Sequence, residues 1–149
     1  MKTCFMKSQP GTYALILQSH SKVNIQIGRW RQIDIQRGYY IYVGSAFGPG
    51  GVQARVLRHL RVEKLKHWHI DYLREYVSPQ TAWVSYDTEK LEHRWAQIFF
   101  ERNETSAIQG FGCSDCKCHT HLFHTLATPD VAWLGTVDLF CCYALDEFV

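Results

Sequence analysis

Gly38-Tyr39-Tyr40-Ile41-Tyr42-Val43-Gly44 is the stretch that decides the fold. Aromatic and branched side chains stand between two glycines, a composition that fits a pleated surface and predicts a strand closed by a turn at Gly44. Upstream, residues 12–18 form a second β-rich apolar run. If the two strands are antiparallel neighbours, Tyr13 and Tyr42 come together. Between them, Val23, Ile25 and Ile27 alternate with Asn24 and Gln26, a period of two. Gly28 and Arg29 break that run, and Ile33 and Ile35 flank Asp34 in a further short strand. The first 44 residues therefore read as a β-meander.

Downstream, Gly48, Pro49, Gly50 and Gly51 punctuate a loop over 45–51. Val52, Val56 and Leu60 recur at helical spacing and predict a helix over 52–61. A second helix is predicted over 68–76, with Ile70 and Leu73 inward, and a strand over 82–86. Thr88 fits the N-cap of a third helix over 89–101, whose apolar set is Leu91, Trp95, Ala96, Phe99 and Phe100. Beyond Gly110 the periodicity weakens, and residues 131–139 read as a last strand or an irregular tail. This order predicts an α+β fold, a small antiparallel or mixed sheet flanked by helices. One domain over 11–124 with a C-terminal extension over 125–149 accounts for the chain.

Composition sets the outer bounds. A chain of 149 residues with 46% hydrophobic side chains fits one domain with a real core. No apolar run approaches the ~20 residues of a membrane span, and residues 1–11 hold no apolar signal core. Six cysteines without a secretory signal do not read as a disulfide framework, so a cytoplasmic protein with reduced thiols is expected. The net charge of +2 hides an asymmetry: residues 1–75 carry +8 and residues 76–149 carry −6. That split fits a surface facing a polyanion, and equally two solvated faces of opposite bias.

Some polar residues are required by neither periodicity nor turn chemistry. Tyr13 and Tyr42 sit near Gly11 and Gly44. Arg55 and His59 are four apart on one helix face, and Glu92 opens the third helix. Two phenols, a guanidinium, an imidazole and a carboxylate suit phosphodiester cleavage. Glu92 offers a hard oxygen to a divalent metal, Arg55 a positive fork to a phosphate, and Tyr13 or His59 an acceptor for a water proton. Each also has a plainer reading: packing tyrosines, solvated helix residues, and a carboxylate at the positive helix end.

Gly11-Thr12-Tyr13 with Tyr42-Val43-Gly44 resembles the two signature tripeptides of the GIY-YIG nuclease superfamily. Arg55, His59 and Glu92 match its following helix and its metal-binding glutamate. The closer likeness is to the DUF123-type subfamily, carried by Tyr42-Val43-Gly44-Ser45-Ala46, Gly50-Gly51, His67-Trp68-His69-Ile70-Asp71-Tyr72-Leu73, and the stretch from Gly110 to Cys118 with His121-Leu122-Phe123. Two departures stand out. Thr12 replaces the usual isoleucine at a site expected to tolerate apolar side chains, and 29 positions separate Tyr13 from Tyr42, so an extra β element must be accommodated. The resemblance implies one-step, metal-assisted hydrolysis of DNA or structured nucleic acid. In it Glu92 holds one Mg²⁺ or Mn²⁺, Arg55 neutralises the phosphate, Tyr13 takes a proton from water with His59 assisting, and Tyr42 positions the phosphate or Tyr13.

Further candidates surround this set. Ser45, Arg58 and Arg61 are expected to meet nucleic acid. Arg29, Trp30 and Arg31 place an aromatic between two cations, which suits base stacking or a plain hairpin tip. Cys113, Cys116, Cys118 and His121 offer a Cys₃His set for Zn²⁺, although the ligands are crowded; small turn residues beside a buried thiol are the alternative. Cys141 and Cys142 read as half-buried thiols. His67 and His69 flank Trp68 at a spacing that makes them poor joint metal ligands. Asp71 is expected to pair with Arg74 or another base. With no membrane segment and no targeting module in view, targeting is expected from a homodimer, a partner protein or the shape of the nucleic acid. The alternatives to an endonuclease are a nucleic-acid-binding module of the same fold and a zinc-bound interaction domain.

Overall fold

Gly38–Ala46 forms strand β4 and pairs antiparallel with β1, Gly11–Ser19, along its whole length. In this computed structural model, residues 6–112, 119–135 and 141–145 are described. Strand β5, Ser78–Ser85, pairs with the other edge of β1. Three shorter strands complete the sheet: β6 (Thr105–Ala107), β7 (Leu122–Thr125) and β8 (Cys141–Ala144), in the order β6-β7-β4-β1-β5-β8, antiparallel throughout. The helices among the described residues are α1 (Gly51–Leu60), α2 (His69–Leu73) and α3 (Glu92–Glu101), with a 3₁₀ turn at Val131–Leu134. The fold is α+β, as expected.

The meander is corrected. Because Ser19 of β1 lies opposite Gly38 of β4, the segment between them leaves the sheet. It forms a separate hairpin of β2 (Val23–Ile27) and β3 (Arg31–Ile35). Its alternation has a direct use: Ile25, Ile27, Ile33 and Ile35 are buried while Asn24, Gln26 and Asp34 face water. The hairpin is thus the extra β element that the spacing of the two tyrosines requires.

Both faces of the sheet are covered, so β1 reads as a continuous apolar run rather than an alternating one. On one face Tyr13, Leu15, Tyr42 and Val84 pack against α1, α2 and the hairpin. On the other Ala14, Ile16, Val43 and Trp83 pack against Leu91, Trp95, Ala96 and Phe99 of the α3 region.

Three further boundaries differ from expectation. Helix α2 stops at Leu73, and Arg74 turns back to donate to the carbonyls of Leu60 and Val77 at 3.0 Å each. This satisfies an orphan carbonyl at the end of α1, so Arg74 is not the partner of Asp71. Helix α3 begins at Glu92 after an N-cap at Leu91 rather than after Thr88. The buried hydroxyl of Thr12, a residue remote in sequence, accepts from the Leu91 amide at 3.1 Å. Thr12 therefore serves a specific polar purpose beyond tolerance of its site. Of the predicted C-terminal element, residues 131–134 form the 3₁₀ turn and 136–140 lie outside the described residues.

Candidate active site

The N-terminal end of β1 and the C-terminal end of β4 lie side by side, and α1 follows β4 after a short loop. Gly50 and Gly51 hold φ values of 83° and 59°, the left-handed region open to glycine. This turn lets the first amides of α1 donate to backbone carbonyls of Gln9 and Lys7. Arg55 consequently stands one turn into α1 above the Tyr13–Tyr42 face. Glu92, at the start of α3, approaches around the sheet from the opposite layer.

The result is a cleft of about 530 Å³. Tyr13, Tyr42, Ser45, Arg55 and Glu92 line it, together with Trp68, Lys90 and four histidines at 67, 69, 93 and 121. Tyr13 lies opposite Gly44 and Tyr42 opposite Leu15, so the phenols are diagonal neighbours on one face. Gly44 is a space requirement: a Cβ there would run into the Tyr13 ring and hydroxyl.

His59 is buried behind the cleft instead of lining it. Its Nε2 and the Tyr13 hydroxyl are 2.7 Å apart, and its Nδ1 is buried without a partner. Burial first, then the charge of Lys64, lowers its pKa to about 3. The imidazole is therefore neutral at pH 7, and its contact with Tyr13 is a fixed support for the hydroxyl. Burial of Tyr13, with Tyr42 and Glu92 nearby, raises its phenol well above the ordinary value of 10.0, while Arg55 opposes that shift. Arg55 stacks over Trp68 at 4.6 Å and has no carboxylate partner among the described residues.

Glu92 is partly exposed, and its Oε1 lies 3.1 Å from Nδ1 of His121. The same nitrogen is 3.2 Å from the Val43 carbonyl oxygen. His121 thus orients the candidate metal-binding carboxylate with one ring nitrogen. Its supposed companions Cys113, Cys116 and Cys118 lie outside the described residues. Among the described residues no cluster of three or more His, Cys, Asp or Glu side chains is placed to hold a metal ion.

The candidate nucleic-acid contacts divide. Ser45 lines the cleft. Arg58 does not: its guanidinium grips both oxygens of Asp71 at 2.9 and 3.0 Å. This pairing neutralises the charge that was expected to meet phosphate. Arg29 and Arg61 are exposed and are not among the residues that line the cleft. Trp30 is no exposed stacking platform: it is half-buried, stacked on His69 with centroids 4.5 Å apart, and Arg31 sits over its ring at 4.3 Å. The sequence drew no role for Lys90, His93 or Trp68 in the cleft; the indole at 68, between the two histidines of the quoted stretch, was the available signal. Cys141 is half-buried and Cys142 exposed.

A family model described as "Domain of unknown function DUF123" matches residues 12–134. No curated protein and no solved structure matches the chain.

Proposed function

The chain belongs to the DUF123 family, and on that premise we propose that it is a metal-dependent endonuclease hydrolysing phosphodiester bonds in DNA or structured nucleic acid. The observation that carries this reading is the convergence of Arg55, Tyr13, Tyr42 and Glu92 on one cleft. The likeness of the two tripeptides to those of the GIY-YIG nucleases supports the same assignment.

Arg55 binds the phosphate: its fork has no carboxylate competing for it among the described residues, and a guanidinium matches phosphate geometry. Glu92 would hold Mg²⁺ or Mn²⁺. The donor set fits such an ion, because one carboxylate with no surrounding protein cage suits a hard cation that keeps water and phosphate oxygens in its shell. When bound, the ion supplies Lewis-acid polarisation of the phosphate and a lower pKa for its water. Tyr13 takes the proton of the attacking water in its phenolate form, which Arg55 favours. Activity then rises with pH through the neutral range, since the phenol titrates above 10.0. His59 does not accept that proton, because a buried imidazole with a pKa of about 3 resists charging. It is a positioning residue that fixes the Tyr13 hydroxyl. Tyr42 forms the adjoining wall.

The test is cleavage of linear, flapped, branched and single-stranded DNA and RNA with Mg²⁺ or Mn²⁺, beside Glu92→Ala and Arg55→Ala. Metal-dependent cleavage of at least one substrate, lost in both variants, is the expected result. Cleavage that survives in either folded variant overturns the assignment. Salt-dependent binding without cleavage of any substrate would leave a nucleic-acid-binding module.

A further inference from the structure

His69 is held at its cleft position by three contacts that the proposed chemistry does not use. The backbone amide of Gly112 donates to its Nδ1 at 2.9 Å. Trp30 stacks on the ring at 4.5 Å with planes 13° apart, and Phe111 meets it edge-on at 5.4 Å. An amide N–H only donates, so Nδ1 must present its lone pair, and the proton of the neutral ring resides on Nε2. Burial, with Arg31 adding to it, keeps the ring neutral by lowering its pKa. Among the described residues no group meets Nε2, and the half-buried ring leaves it open to solvent. Since His69 lines the cleft, the solvent it reaches is the cleft's.

We propose that His69 is a substrate-contacting residue whose Nε2–H donates to a phosphate oxygen of the bound nucleic acid. The inference rests on the endonuclease reading and extends its anion site beyond Arg55. A neutral ring locked in this tautomer can only donate from Nε2, so its partner must be an acceptor. The cleft wall also presents the cations Arg55 and Lys90, with Glu92 as its acidic residue. A wall of donors selects an anionic oxygen. The β2–β3 hairpin acquires a role as well. Its buried isoleucines anchor it to the core, and its turn delivers Trp30 to the His69 ring.

The experiment is histidine and arginine side-chain ¹⁵N NMR on the full chain, titrated with thymidine 3′,5′-bisphosphate. The expected spectrum shows His69 as the neutral Nε2–H tautomer at pH 7, with that resonance and the Arg55 guanidinium both shifting on addition. A shift at Arg55 alone overturns the role of His69 and leaves the phosphate site intact. A shift at neither overturns both, and an Nδ1–H tautomer overturns the geometry. Variants give a second readout, using the affinity of a fluorescein-labelled DNA flap in Ca²⁺ to prevent turnover. His69→Phe keeps both ring contacts and removes the Nε2–H donor together with the Nδ1 acceptor of the Gly112 amide. It is expected to weaken binding about 10- to 100-fold, the span for one hydrogen bond to a charged group. His69→Gln restores a donor near Nε2 and is expected to recover most of that loss. A purely structural role reverses this ranking, because Phe preserves the ring packing and Gln does not.

Discussion

Two regions meet on the indole of Trp68, and they use the same side chain in opposite ways. Arg55 and Arg58, three residues apart on α1, both place a guanidinium over that ring, at 4.6 and 4.2 Å. On the α1–α2 side Arg58 is closed off by Asp71, whose carboxylate also accepts from the amides of His67 and Trp68 at 2.7 and 2.9 Å. On the cleft side Arg55 meets no carboxylate among the described residues. A paired and buried charge network fixes one arrangement of the chain, whereas an unneutralised guanidinium retains its field for an incoming anion. Neighbouring arginines on one helix therefore split into one locked into the structure and one left unneutralised at the cleft, and the carboxylate partner makes the split.

The largest expected effect tests the binding side. Arg55→Met is expected to reduce cleavage by about 10²–10³-fold or more, as for other fixed donors to a developing anion. It should change stability by about 1 kcal/mol, the usual size for a partly exposed side chain without a counter-charge; single-turnover cleavage and urea melts of one preparation read both. The reverse pattern is expected on the structural side. Asp71→Asn leaves Arg58 and Lys64 without their counter-charge and should cost about 3 kcal/mol of stability, read from the shift of the urea midpoint. Against the cost of burial, the Asp71 carboxyl is held below its ordinary value by Arg58, by the amides of His67 and Trp68, and by Lys64. Its contribution is complete above the unfolded pKa near 4 and is lost as pH falls below it, so the wild type should lose an acid-side stability that Asp71→Asn lacks.

His59 sharpens the comparison because it belongs to both regions. Its folded pKa of about 3 lies below the unfolded value near 6.5. The unfolded chain therefore binds a proton that the folded one refuses, and stability drops as pH falls from about 6.5 towards 3. Between pH 7 and 5 the loss is expected to be about 2 kcal/mol, visible in urea melts and flattened in His59→Gln. The smallest effect belongs to Thr12. Thr12→Val leaves the Leu91 amide buried without an acceptor and should cost about 1–2 kcal/mol. It should also lower the turnover rate with little change in KM, because Glu92 follows the released N-cap. Turnover unchanged at equal stability loss would show that the hydroxyl does not position Glu92.

Much of the fold was legible because burial imposes a period. The stripe of Val52, Val56 and Leu60 marked α1, and the alternation of residues 23–27 marked a strand with one wet face. What periodicity cannot encode is which strand pairs with which. The runs at 12–18, 23–27 and 39–43 look consecutive, yet the first pairs with the third because Ser19 lies opposite Gly38. The start of α3 is not legible locally for a related reason: the amide of its N-cap residue, Leu91, is satisfied across the molecule by Thr12. At the candidate site, Tyr13, Tyr42, Arg55 and Glu92 were identifiable as polar groups without a packing reason. The commitment of Arg58 to Asp71 and of Trp30 to His69 was not, since each depends on a partner from another element.

By itself the sequence determined the α+β class, the two tyrosine strands, the register of α1 that points Arg55 and His59 to one side, and the candidate residues for phosphate chemistry. These are local consequences of side-chain spacing on helices and strands. The tertiary structure alone decided that His59 is a buried neutral support, that Glu92 is oriented by His121, that the hairpin backs His69, and which arginine keeps its charge for the cleft. Charge, protonation and exposure are set by what packs around a group, and those neighbours come from distant parts of the chain.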